Sequence, residues 1–155
     1  AAPSAATLAD GSWLEIAPEA FAWIDRLAAR LTDGFLLVID YGYTAPELAR
    51  FPEGTLMSYR RHTALSDVLA RPGEQDITAH VPFTALEQHA ARRGFRTVRF
   101  ESLARLLLRA GEQDQFARAL EASSAAERLR RRLQLKSLLF GMGETFRALL
   151  LARNA

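Results

Sequence analysis

Five consecutive apolar residues, Phe35-Leu36-Leu37-Val38-Ile39, stand between Gly34 and Asp40 with no polar position among them. A run this short is a strand length rather than a helix length. Because successive strand side chains point to opposite faces, apolarity at every position predicts a strand covered on both sides, near the middle of a parallel sheet. Such a strand needs helices to cover it, and the sequence supplies one on the amino-terminal side. Ala17-Pro18-Glu19 opens a helix with proline where a backbone donor would have no partner anyway. Phe21, Ile24, Ala28 and Leu31 then recur on one face, Trp23 is assigned to the same core, and Gly34 ends the segment.

The elements beyond the strand keep the alternation. Thr84-Ala85-Leu86-Glu87 has the spacing of a capping box, Phe83, Leu86 and Ala90 fall on the inward face, and Gly94 closes that helix. Phe95 to Phe100 has strand composition, but Arg96 and Arg99 predict an edge or one wet face. Ser102 is placed to cap a short helix through Arg109. Glu112 to Lys136 reads as two helices, or one interrupted at Ser123-Ser124, and Phe146 to Ala152 as a last strand. Alternating helices and strands without an internal repeat predict an α/β fold with an open sheet.

Composition then removes whole classes of function. With 155 residues, 49% of them hydrophobic, the chain can build a real core. The longest apolar runs, Phe35 to Ile39 and Ala148 to Ala152, fall far short of the roughly 20 residues of a bilayer helix. No cysteine is present, which excludes disulfides and thiolate metal sites. Net charge is +2 at a pI of 9.5. The basic cluster Arg128, Arg130, Arg131 and Arg132 reads as a solvated helix face beside Glu121 and Glu127 rather than a nucleic-acid footprint. Residues 1–12 read as a flexible lead, without the basic start and apolar core of a signal peptide. The absent initiator Met points to a fragment.

Plausible reactive chemistry concentrates between Gly34 and Phe83. Asp40 ends the predicted central strand, where open α/β sheets gather ligands, and it can serve either as a functional carboxylate or as a turn-closing acceptor. Tyr41 can line the same crevice, and Gly42 supplies backbone freedom. Asp76, Thr78 and His80 alternate along Gln75 to Val81, so an extended backbone puts all three on one polar face opposite Ile77, Ala79 and Val81. His62 can approach that wall, and either histidine can carry a proton near neutral pH. Asp76, His80 and His62 could be drawn as metal ligands, but no short helical His pair supports that assignment. Glu144 can complement a cation, or cap the final strand after Gly141-Met142-Gly143.

Several motifs in order carry a family resemblance: Gly34 to Tyr43, Gly54-Thr55-Leu56-Met57 with Tyr59 and His62, and Pro72-Gly73 followed by Gln75-Asp76-Ile77-Thr78-Ala79-His80-Val81. Met142-Gly143-Glu144 with Phe146-Arg147 completes the set. Together they resemble the MidA-type S-adenosylmethionine-dependent methyltransferases, over nearly the whole chain. The resemblance implies that residues 1–155 are the carboxyl-terminal portion of one class I Rossmann-like methyltransferase domain, with helical insertions. Phe35 to Ile39 then looks like the fifth sheet strand, Phe95 to Phe100 the sixth, and Phe146 to Ala152 the antiparallel seventh. The glycine-rich loop for S-adenosylmethionine would lie upstream, so the fragment alone should bind the cofactor poorly. Pro82 departs from the pattern, standing where relatives carry an acidic residue.

The mitochondrial member of that family is associated with protein arginine methylation, so the resemblance implies a protein substrate. A guanidinium acceptor needs carboxylates to orient it and a base to take its proton. On this reading Asp40, Asp76 and His80 are the catalytic candidates, and Tyr41, His62, Thr78 and Glu144 the substrate-binding ones. The expected partners are the protein substrate and either the missing amino-terminal half or a second copy, with neither nucleic acid nor membrane. The expected setting is the bacterial cytoplasm, or the mitochondrion in a eukaryote. The competing reading is a noncatalytic protein-binding remnant or assembly-factor module that keeps the Asp76 to Val81 surface.

Overall fold

The computed structural model describes residues 9–61, 63–65 and 67–155. Its elements follow the order α1 (Pro18–Ala28), β1 (Gly34–Tyr43), a 3-10 turn (Ala45–Arg50), β2 (Met57–Arg60), β3 (Thr63–Leu65), β4 (Asp76–Thr78), β5 (Val81–Pro82) and α2 (Phe83–Arg92). After these come β6 (Arg96–Ser102), α3 (Leu103–Gly111), α4 (Ala117–Leu120), α5 (Ala125–Ser137), a π turn (Leu138–Met142), α6 (Gly143–Thr145) and β7 (Phe146–Arg153). They form two compact units, residues 1–32 with 42–96 and residues 33–41 with 97–155.

The second unit is built on an antiparallel pair. Gly34 to Tyr41 of β1 runs against β7, from Gly34 opposite Arg153 to Tyr41 opposite Phe146. On its other side β7 borders β6, and its antiparallel run against β1 agrees with the antiparallel last strand that the resemblance implies. Ala148, Leu149, Leu151 and Ala152 of β7 are buried with Leu103, Ala104 and Leu139. β1 itself departs from expectation. Phe35, Leu37 and Ile39 are 62%, 46% and 43% exposed, while Leu36 and Val38 between them are partly covered. The run is therefore apolar on two faces, but among the described residues only one is covered, and its principal partner is antiparallel rather than parallel.

Helix boundaries in this unit obey local chemistry. The Ser102 hydroxyl accepts the Arg105 N–H at 3.3 Å and starts α3, and Ser124 starts α5 by accepting from Glu127 N–H at 3.2 Å. Glu127 pairs with Arg131 at 2.7 Å on the basic helix, and Glu101 takes Arg109 at 3.2 Å. Gly141 and Gly143 lie in the helical turns that lead into β7.

In the first unit, the last two residues of β1 continue into a short parallel pairing, Gly42 with Val81 and Tyr43 with Pro82. A separate ladder sets β2 between β3 and β4, both antiparallel to it. The core is Ile24, Tyr43, Leu48, Phe83, Leu86, Ala90 and Phe95. Two expectations change here. Trp23 is 40% exposed because it lies off the Ile24 face of α1. The Thr84 capping box does not form: α2 begins at Phe83 after Pro82, and the Thr84 hydroxyl instead accepts the Ala45 N–H at 2.9 Å. The capping box of this region belongs to Thr44, whose N–H and hydroxyl both donate to Glu47. Of residues 1–12, Ala9 and Ser12 close a turn, Ser12 N–H donating to the Ala9 carbonyl at 3.1 Å. Residues 1–8 lie outside the described residues.

Candidate acceptor site

One polar network in the first unit starts at Glu15, which stands between apolar Leu14 and Ile16 in the sequence. Its carboxylate oxygen Oε1 accepts the N–H of Thr55 and, at 2.9 Å, that of Leu56. Two backbone donors can converge on one oxygen because Gly54 adopts φ +77°, and a side chain at Gly54 would run into the Glu15 carboxylate. The other oxygen, Oε2, is buried without a hydrogen-bond partner among the described residues. Thr55, itself buried, passes the network on: its hydroxyl accepts the His80 N–H at 3.0 Å. The His80 ring meets Phe51 edge-on at 5.1 Å, and Phe51 packs on Tyr43 at 5.7 Å.

Tyr43 is 2% exposed, and its hydroxyl also has no hydrogen-bond partner among the described residues. Burial, and secondarily the nearby Glu15 charge, hold its phenol above the ordinary range. Glu15 and Tyr43 line one cavity of about 130 Å³ together with Leu14, Ile16, Phe21, Pro82, Ala85, His89 and Arg92. His89 is fixed on two sides: Phe21 stacks on its ring at 4.9 Å, and Nε2 lies 2.6 Å from Asp25 Oδ1. Arg93 binds the same carboxylate twice, at 2.7 and 3.1 Å. Those bonds, Arg93 first and His89 second, hold the Asp25 carboxyl below its usual range.

The residues singled out from sequence are dispersed differently. Asp40 does not end its strand. β1 continues to Tyr43, which places Asp40 inside the ladder opposite Arg147, its carboxylate accepting the Tyr41 N–H at 2.8 Å. Tyr41 packs edge-on against Phe146 at 5.5 Å. Gly42 serves close approach rather than freedom, since a Cβ there would collide with the Val81 carbonyl and sit 2.8 Å from Phe83. Asp76 and Thr78 share a face of β4, and His80 lies two residues beyond the end of that strand. Glu144 is exposed in α6. His62 lies outside the described residues, and among those described no three His, Asp or Glu side chains gather as a metal site.

Sequence reasoning missed Glu15, Tyr43 and His89. Only Glu15 left a usable signal, a lone carboxylate between two apolar residues just ahead of a helix start.

Residues 1–101, which contain all of this cavity, match a protein family described as "Putative S-adenosyl-L-methionine-dependent methyltransferase". The chain belongs to that family. Two crystal structures of Burkholderia thailandensis proteins share its fold, each with 34% sequence identity and a TM-score of 0.76 over 86% of this chain. One is an uncharacterised protein, and the other a candidate methyl transferase bound to S-adenosyl-homocysteine. The chain spans only 37% and 35% of their respective lengths. Among curated proteins nothing matches it. No helix among the described residues is long and apolar enough to cross a membrane.

Proposed function

We propose that this chain is the carboxyl-terminal, substrate-side part of an S-adenosylmethionine-dependent methyltransferase acting on a protein side chain, arginine in particular. The observation that carries the reading is the shared fold with a protein that holds S-adenosyl-homocysteine, the molecule left when S-adenosylmethionine has given up its methyl group. Among the described residues no glycine-rich turn joins a strand to a helix: β1 passes through the Thr44 capping box into a 3-10 turn. The chain spans just over a third of the length of the two similar structures, and the reading assigns the cofactor loop to the part it does not span.

When bound, S-adenosylmethionine supplies an electrophilic methyl on a sulfonium sulfur. The chain's own residues have the remaining work: to hold the acceptor nitrogen in line, keep water away and take the proton it loses. Of the sequence candidates, Asp76, Thr78 and His80 belong to the first unit, and the reading assigns to these three the orienting of the acceptor and the taking of its proton. The exposed apolar face of Phe35, Leu37 and Ile39 supports a partner that covers it, the rest of the domain or a second copy. With the reading goes a bacterial cytoplasmic setting, or a mitochondrial one in a eukaryote.

Calorimetry with S-adenosylmethionine on this chain and on a version with its natural upstream sequence tests the division. Measurable affinity is expected only for the longer protein, and tight binding by the shorter one would refute it. Transfer of labelled methyl groups to lysate proteins, followed by mass spectrometry, should then show methylated arginine. Cofactor binding with no transfer would instead favour the noncatalytic protein-binding reading.

A further inference from the structure

We propose that the outer face of α5, with the turn that follows it, is a docking surface for an anionic lipid bilayer, on which the helix lies flat without crossing. Inside the second unit α5 packs against α4 and the π turn. Its covered side is a ridge at every fourth position: Glu127, Arg131 and Leu135 are half-buried, and Leu139 is buried. The opposite side carries a second apolar stripe. Leu129 and Leu133, a turn apart, are each 59% exposed, and Phe140, farther along in the π turn, is 76% exposed. Single exposed leucines are ordinary, but a helix that already covers one ridge has no packing use for a second stripe on its far side.

Charge decides what the stripe meets. α5 carries five cations and one acid, and that acid, Glu127, is taken by Arg131 at 2.7 Å. Arg130 borders the stripe on one side and Arg132 on the other, Lys136 falls between Leu133 and Phe140, and all three are exposed. An apolar stripe with cations on both sides is what an interfacial helix presents to anionic headgroups: the apolar side chains enter the boundary while the cationic stems reach up to the phosphates. A second copy would bring like charge against like. Two details favour a bilayer over an acidic helix of another protein. The π turn breaks the regular repeat that helix-on-helix packing needs, whereas a fluid surface asks only that the side chains share a side. Lys136 would be buried in such a helix seam, but a headgroup layer receives its ammonium. Charge balance alone reads this helix as a solvated face without a membrane role; the exposed leucines and Phe140 change that.

The readout is binding, so it stands whether or not methyl transfer is found. The protein with its natural upstream sequence is sedimented with vesicles of phosphatidylcholine alone and of phosphatidylcholine with an equal part of phosphatidylglycerol. It should bind the mixed vesicles roughly tenfold more tightly or better, and added salt should weaken that binding. Leu129→Gln with Leu133→Gln, at positions exposed in the fold, should weaken it about tenfold, as should Arg130→Gln with Arg132→Gln. Equal affinity for the two vesicles, or none for either, overturns the proposal, including the case in which upstream sequence covers the stripe; this comparison in the wild type stands whatever the variants do. Weakening by the arginine variant alone would mean loose attraction of charge and overturns it too. Self-association lost in the leucine variant, found in place of vesicle binding, would give the stripe to a second copy. Duplex DNA released by the arginine variant but not the leucine variant, again in place of vesicle binding, would make it a nucleic-acid face, and either result overturns the proposal.

Discussion

Two parts of the first unit present their polar groups in opposite ways. On β4, Asp76 is exposed and Thr78 is only partly covered, on a short ladder whose Ile77 also reaches solvent at 41% exposure. Around the cavity, Glu15 and Tyr43 bury polar atoms that lack partners among the described residues, and the neighbouring core residue Phe83 is fully packed. Polar groups in water cost little to place anywhere, whereas buried ones must be held by a specific surround. The ladder has the richer string of reactive residue types, but the cavity has the geometry that constrains a ligand.

The sharpest way to break this comparison is through packing. Phe83→Ala should cost about 3–5 kcal/mol, against less than ~1 kcal/mol for Ile77→Ala, by urea unfolding. Similar losses at the two positions would mean that the ladder is as deeply packed as the core of the first unit. Next in size, Glu15→Ala removes the acceptor of two backbone N–H groups and should cost about 1–3 kcal/mol, while Asp76→Asn should stay within about 0.5 kcal/mol. That neutrality would make Asp76→Asn a clean probe of activity.

Gly54→Ala isolates the cradle. Forcing a Cβ into φ +77° beside the Glu15 carboxylate should cost about 1–2 kcal/mol for the backbone alone. Amide signals of Thr55 and Leu56 should shift with it, and an unchanged spectrum would contradict the cradle.

The smallest effect is a titration. Tyr43 has its phenol raised above the ordinary 10.0 by burial first and Glu15 second. Folding therefore favours the protonated form: this contribution is fully present below the unfolded value and is lost as pH rises through the folded one. Stability should fall above about pH 10 in the wild type and fall less in Tyr43→Phe. In an absorbance titration one of the three tyrosines should ionise late. Glu15→Gln should move that tyrosine partway back. Three tyrosines ionising together would contradict its burial.

Much of the fold is legible in the sequence because its signals are local. The Pro18 helix start, the Ser102 cap, the break before Ser124 and the final strand all follow from residues within a turn of one another. β1 was harder, since five apolar residues say that both faces want cover but not which neighbour supplies it. Thr84 carried a cap signature that a contact with Ala45, remote in sequence, took over. The candidate site was the least legible part. Glu15 meets Thr55 and Leu56 across 40 and 41 positions, and His89 meets Asp25 across 64. No local pattern announces such meetings. Asp76, Thr78 and His80 draw attention because they alternate, and β4 carries the first two of them.

The central claim is methyl transfer, and a single-turnover reaction tests it most directly. The protein with its natural upstream sequence, mixed with S-adenosylmethionine carrying a tritiated methyl and a bacterial lysate, should yield labelled protein and an equal amount of S-adenosyl-homocysteine. Glu15→Gln should lower that yield while leaving cofactor affinity intact. Cofactor bound tightly by the wild type with no label moved to any acceptor would contradict the account.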